Sequence, residues 1–356
     1  MTPLFIPSPP VNGFSIGPLT IRFYALCLIA GIALAWWLGE RRWRERGGNA
    51  EKFETAVFWA IPVGIVGARL YHVLTHLGDY FGPGINPWSV FFIWEGGIAI
   101  FGSIAGGALG ALIGCRREGI RFSSLADCLA PGIALGQFVG RFGNWFNQEL
   151  YGWPTTLPWA VEISPEHRLP GFEQYATFQP TFAYEAVWDL LCAGILLWAD
   201  RRFRLGRGKV FALYMALYGF GRFFTEGIRI DYSYSVFGPI RFNQFIAGCI
   251  CLAGLALLIW LVRARPGRED SVLLHPVPTA EAAADNAETA ETPAAETAAA
   301  ETPADETAAV ETETGKTEAE TAGTGAEIEP QYVPGKIDGD FVRTTDDDAD
   351  TTGDDS

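Results

Sequence analysis

Residues 125–146 read LADCLAPGIALGQFVGRFGNWF. As a helix, such a run is long and apolar enough for a bilayer core about 30 Å thick, which takes about 20 residues. It also carries Arg141, about 16 residues in, or about 24 Å along a helix. A charge at that depth is costly in lipid and is a functional candidate by default. Gln137, Arg141, Asn144 and Gln148 follow one another at helical spacing and share one face.

Six more apolar runs flank this one, near 19–39, 55–75, 97–115, 181–199, 209–228 and 243–263. The expected fold is an all-α polytopic membrane protein with seven transmembrane helices. Basic residues mark the cytoplasmic side. They gather in ERRWRERGGNAEK after the first run, CRREGIR after the third, DRRFRLGRGK after the fifth and VRARPGR after the seventh. That alternation predicts the N-terminus outside and the C-terminus in the cytoplasm. The opening MTPLFIPSPPVNG has no basic leader and is broken by prolines, so no cleavable signal is expected. The proline- and aromatic-rich stretch from 148 to 180 predicts a small external head between spans 4 and 5.

From residue 266 onward the composition changes to Ala, Thr, Glu, Asp and Pro, with 24 acidic against 4 basic side chains, a net of −20. The whole chain is −15, so residues 1–265 carry +5. Two regions follow: a transmembrane catalytic domain over 1–265, and a disordered acidic cytoplasmic tail over 266–356 that cannot bury enough apolar surface to offset its ordering entropy. The six cysteines lie in or beside the apolar runs without metal or disulfide spacing and read as packing residues. His72 and His76 have ligand spacing but no third partner in the sequence, so no metal site is expected.

The polar residues inside the runs gather toward the external ends: Arg22 and Tyr24; Arg69, His72 and His76; Glu95; Arg141, Asn144, Asn147 and Glu149; Tyr184, Glu185 and Asp189; Arg222, Glu226, Arg229 and Asp231; Asn243 and Gln244. The inner halves read as much more apolar. Tyr214, Tyr218, Arg222 and Glu226 form a second stripe at i, i+4, with Arg222 about 20 Å into its helix. Two such faces can converge on one anionic group, for which the planar, permanently charged guanidinium is suited. The competing expectation is that Arg222–Glu226 and Arg141–Glu149 are structural ion pairs. Gly102, Gly106, Gly110 and Gly114 form one small-residue ridge, and Gly132, Gly136 and Gly140 another, as close helix packing in lipid requires.

GRFGNWFNQELYG at 140–152 resembles the signature of the prolipoprotein diacylglyceryl transferases, with Trp145 where that family usually has Phe. IRFYALCL (21–28), ARLYHVL (68–74), WEGGIAIFG (94–102), QPTFAYE (179–185) and YGFGRFFTEGIR (218–229) extend the resemblance over about 10–262. It implies transfer of the diacylglyceryl group of phosphatidylglycerol onto the lipobox cysteine of a preprolipoprotein, at the outer leaflet of a bacterial cell membrane. The implied partners are that lipid, preprolipoprotein signal peptides and the bilayer, with no nucleic acid and no cofactor. It further implies that Arg141, Arg222, Glu226 and Tyr24 are catalytic, and that Arg141, Asn144, Glu149, Arg222, Arg69, Glu185, Arg229 and Gln244 bind the lipid. Many members of that family have a histidine, proposed as the base, where this chain has Phe101. The proton acceptor is then dispensable, with the arginines assisting thiol ionisation, or it is Tyr24, Glu226 or His72. A transporter or flippase of an anionic lipid would also use buried arginines. It usually needs polar access from both sides, which the one-sided polarity disfavours.

Overall fold

A computed structural model describes residues 5–17, 19–81, 86–93 and 96–274. All lie in a compact unit spanning Met1–Ala290, whereas a second unit, Glu291–Ser356, lies outside the described residues. Glu95 and the tail from residue 275 onward also lie outside them.

Seven α-helices are described: α1 (Phe23–Glu45), α2 (Ala50–Thr75), α3 (Ile100–Arg117), α4 (Phe122–Asn147), α5 (Thr181–Phe203), α6 (Lys209–Ile228) and α7 (Phe242–Ala264). Each matches one apolar run. Five of them, α1, α2, α4, α5 and α7, are long and apolar enough to cross a membrane. The chain is therefore a polytopic membrane protein. α3 falls short because Arg116 and Arg117 and its glycines lower the hydropathy of its 18 residues, and α6 because Lys209, Arg222 and Glu226 interrupt it. Apolar side chains cover the outside of the helices. On α7, whose mean hydropathy reaches 2.7, Leu252, Leu255, Ile259, Trp260 and Val262 are exposed. A helix apolar all round needs a lipid or protein neighbour.

Packing follows the small-residue ridges. Gly102, Gly106 and Gly110 of α3 lie so close to the α2 backbone that a Cβ at any of them would overlap the carbonyl of Gly67, Val63 or Trp59. On α4, a Cβ at Gly132 would come within 2.6 Å of Ala35 O of α1, and one at Gly136 within 2.9 Å of Gly31 O. Gly140 does not continue that contact, since its nearest neighbour is the Leu28 side chain at 4.0 Å. The ridge resumes at Gly143, which receives the Tyr24 ring.

Three two-stranded antiparallel ribbons supplement the helices, a feature the all-α expectation omits: β1 (Gly13–Ile16) with β2 (Leu19–Arg22), β3 (Val161–Glu162) with β4 (Thr177–Phe178), and β5 (Ser235–Phe237) with β6 (Ile240–Arg241). All three precede a helix start at the same end of the bundle, where pairing satisfies backbone groups outside the helices. β3 and β4 belong to the head, whose small core joins Tyr151, Val161, Ile163 and Phe178. Ile6 lies parallel to Val161 and completes its edge.

At the opposite end, α1 extends through the basic segment expected to be a loop. Arg41–Glu45 and Arg44–Glu40 pair one turn apart, and Arg42 is buried. The packed body also continues past residue 265. Val272 is buried against Trp43, Phe53, Cys115 and Ile120, and its carbonyl accepts from Arg121 N at 2.8 Å.

Candidate functional site

α4, α5 and α6 place three polar side chains in one cleft. Arg141 comes from α4, Glu185 from the second turn of α5 and Arg222 from α6. Glu185 bridges the arginines. Its Oε2 lies 2.6 Å from Arg141 Nη1, and its Oε1 accepts from Arg222 Nη1 and, at 3.0 Å, from Thr225 Oγ1. Asp189, one turn further along α5, faces Arg141 Nε at 3.5 Å. The two polar stripes read from the sequence thus face each other, with α5 supplying the carboxylate between them. Deeper in, Tyr214 Oη and Gln137 Oε1 meet at 3.1 Å and tie the stripes together. Gly221 makes room for the Trp188 indole, which walls the cleft and donates to Leu217 O at 3.0 Å.

Behind Arg222 lies a second layer of charge. Glu226 is fully buried and meets Arg222 Nη2 at 2.6 Å, Arg229 Nη1 at 3.5 Å and Arg241 Nη2 at 3.3 Å. Asn243 Nδ2 donates to it at 3.2 Å, and the Gln244 amide packs on Gly227 beside it. Arg229 forks onto both oxygens of Asp231 at 2.7 and 2.8 Å. Partial burial works against ionisation of Asp231. The Arg229 hydrogen bond and the charges of Arg229 and Arg241 outweigh it and hold the carboxyl below its ordinary range. Arg241 escaped the sequence reading. No motif or helical spacing in the sequence singles it out, and only the β5–β6 turn brings it back onto Glu226.

Arg141 does not pair with Glu149, as the structural ion-pair reading had it. Glu149 sits in a neighbouring cleft under the head, where its Oε1 accepts from Asn144 Nδ2 at 2.8 Å and Asn147 Nδ2 at 3.3 Å. Two left-handed non-glycine residues, Gln148 (φ 52°) and Leu150 (φ 60°), turn the chain back to place it. Such conformations cost about 1–3 kcal/mol each and persist where the surroundings over-determine them. Here Ser164 N donates to Gln148 Oε1 at 2.8 Å, Gln148 Nε2 donates to Pro9 O at 3.3 Å, and Thr181 donates to Leu150 O. Tyr24 lies across Gly143, one residue before Asn144.

Arg69 is not gathered into this cluster. Its guanidinium donates to the carbonyls of Ser89, Val90, Gly96 and Gly97 at 2.6–3.1 Å and stacks on Tyr80. It therefore organises the segment between α2 and α3. His72 lies beside it, ring to ring with His76 at 4.4 Å. Phe101 is 42% exposed and contacts Tyr71.

The helix ends opposite the cleft, expected to be apolar, are not, which corrects the one-sided picture. Asp127 of α4, Asp200 of α5, Arg42 of α1, Arg46 just after α1 and Glu269 after α7 form a second buried cluster. Arg42 meets Asp200 at 2.8 Å, and Arg46 meets Asp200 at 3.2 Å, Glu269 at 3.4 Å and Asp127 at 3.8 Å. These residues sit at helix ends in the sequence, where charge is ordinary, so nothing distinguished them from solvated loop residues. One-sided polarity is consequently no argument against a transporter.

The family model for prolipoprotein diacylglyceryl transferase matches residues 12–260. Among similar proteins, the phosphatidylglycerol–prolipoprotein diacylglyceryl transferase of Cutibacterium acnes is 52% identical over 267 residues, covering 75% of this chain and 90% of its own. Its counterpart in Paenarthrobacter aurescens is 49% identical over 271 residues, 74% of this chain and 85% of its own. That of Mycobacteroides abscessus is 43% identical over 298 residues, 80% and 86% respectively.

Proposed function

The chain belongs to the prolipoprotein diacylglyceryl transferase family, and from that membership we propose that it transfers the diacylglyceryl group of phosphatidylglycerol to the lipobox cysteine of preprolipoproteins, the first step of their maturation. The thiol sulfur forms a thioether with the glyceryl carbon. The carbon–oxygen bond to phosphate breaks, and glycerol phosphate leaves with the electron pair. The thiol proton passes to solvent or to a nearby acceptor.

The observation that carries the reading is the convergence of Arg141 and Arg222 on one anion in the cleft between α4, α5 and α6. A leaving phosphate gathers negative charge, and two preplaced guanidinium groups in a low-dielectric site stabilise it. The same cations favour the thiolate of a cysteine whose free pKa is about 8.5. Glu226 is engaged by three arginines, and His72 lies with Arg69 and Tyr80 by the α2–α3 segment. Both placements support arginine-assisted ionisation over a dedicated base. Asn144 and Glu149, with Tyr24 alongside, serve the adjoining cleft under the head. All seven helices cross the membrane: at 1.5 Å per residue, the 18 residues of α3 and 20 of α6 reach about 27 and 30 Å. The N-terminus and the head lie outside, the acidic tail lies in the cytoplasm, and the cleft opens at the outer leaflet of the cell membrane.

Purified protein with phosphatidylglycerol vesicles and a lipobox peptide tests this. A thioether-linked peptide and released glycerol phosphate are expected. Absence of both, where a known family member yields them, overturns the assignment.

A further inference from the structure

Among the described residues, Glu185 is the one carboxylate held by both cleft arginines, one oxygen to each. A phosphodiester presents the same pattern, two unesterified oxygens sharing one negative charge. The formal charges around the cleft balance: Arg141, Arg222, Arg229 and Arg241 stand against Glu185, Asp189, Glu226 and Asp231. An anionic headgroup entering this cluster adds an uncompensated negative charge in a medium where such charge is expensive, unless a carboxylate gives up its arginines and takes up a proton. Glu226 is fully buried among three arginines and Asn243, and Asp231 is forked by Arg229. Asp189 pairs, among the described residues, only with Arg141, at 3.5 Å. Among the described residues Glu185 alone occupies the bridging position, and Thr225 at 3.0 Å is its one further hydrogen bond.

We propose that Glu185 is an internal placeholder for the substrate's phosphate: it holds Arg141 and Arg222 in bridging geometry at rest and, when the phosphodiester binds, yields them and takes up a proton from solvent, so that the charge of the cluster stays balanced. This rests on the reading of the two arginines as a phosphate clamp, and it gives Glu185 a positioning role rather than a binding one. The arginines are preorganised without substrate, so little reorganisation is left to the reaction. In exchange, the anion competes with a tethered rival and its apparent affinity is reduced. Product leaves more readily for the same reason, because the returning carboxylate displaces glycerol phosphate.

Glu185→Gln keeps the side chain's shape and its oxygen acceptor while removing the competing charge. Apparent affinity for phosphatidylglycerol, read as KM, is expected to improve about tenfold, the factor by which a site that is open only about one-tenth of the time lowers apparent affinity. Inhibition by glycerol phosphate is expected to strengthen in parallel. Glu185→Asp retains the charge and gains neither. Thr225→Val frees Glu185 from its hydroxyl partner and moves KM in the same direction as Glu185→Gln, by less. An activity-independent readout is the rise in unfolding temperature produced by glycerol phosphate in detergent, expected to be larger for Glu185→Gln than for the parent protein. An unchanged or raised KM, or an equal or smaller thermal shift, overturns the placeholder. If Glu185→Gln does not fold, Thr225→Val decides by the same two readouts. If both proteins bind glycerol phosphate as expected but form no thioether, the transferase assignment fails and the placeholder stands.

Discussion

Two buried charged clusters sit at opposite ends of the same helices, and they use their charges differently. In the Asp127 cluster much of the charge is engaged by backbone. Asp127 accepts from Gly208 N and Phe211 N, both at 2.9 Å, and so caps α6 from a neighbouring helix. Glu269 accepts from Arg207 N at 2.7 Å and Ser124 Oγ at 2.6 Å. Arg42 donates to the carbonyls of Asp127 and Cys128, and Lys209 to that of Gly267. In the Glu185 cluster the charges that face the cleft meet other side chains, and its arginine side chains are 16% and 18% exposed, against 4% for Arg46. Charges committed to backbone hold a fold together. Charges paired only with one another beside a cleft can exchange partners.

The largest expected effect separates the clusters by activity. Arg141→Ala and Arg222→Ala should each lower turnover by at least about 10²- to 10³-fold, as loss of a preorganised anion contact does, while the proteins still insert and purify as helical bundles. Near-full activity in either would erase the distinction. Asp127→Ala should do the reverse. It removes the acceptor of Gly208 N and Phe211 N and so uncaps α6, which costs about 0.5–2 kcal/mol, while Arg46 keeps Asp200 and Glu269. The unfolding temperature in detergent should drop, while the folded fraction keeps its KM.

Truncation sharpens the same contrast. Ending the chain at 265 removes Arg268, Glu269 and the buried Val272, on the order of 3 kcal/mol, and should lower thermal stability. Ending it at 274 should change neither stability nor turnover, which would place the tail's start beyond 274 and not at 266. The smallest effect concerns pH. The folded pKa of Asp231 lies below its unfolded value of about 3.9. Its contribution is therefore fully present above that value and is lost as pH falls through the lower folded one. Asp231→Asn should flatten only this acid limb of a stability–pH curve.

Much of the site was legible in one dimension. The stripes through Arg141 and Arg222, and the glycine ridges that let α1 meet α4 and α2 meet α3, are periodicities, and a helix converts period into face. Arg69 was misleading for the same reason. It stands at a suitable depth, but depth says nothing about which loop folds over it. Glu149 was recognisable from its motif, yet its partners depend on two left-handed residues that no helical spacing encodes.

By itself, the sequence determined that the chain lives in a membrane, where its helices run and that Arg141 and Arg222 lie on polar helix faces, because lipid imposes length and polarity rules readable residue by residue. Only the tertiary structure decided which charges meet. Glu185 lies more than thirty residues from either arginine in the chain, and Glu269 reaches Ser124 across most of the bundle's sequence. Pairing of that kind is set by how helices pack, and in a low-dielectric interior it separates the charges that are fixed from those that can move.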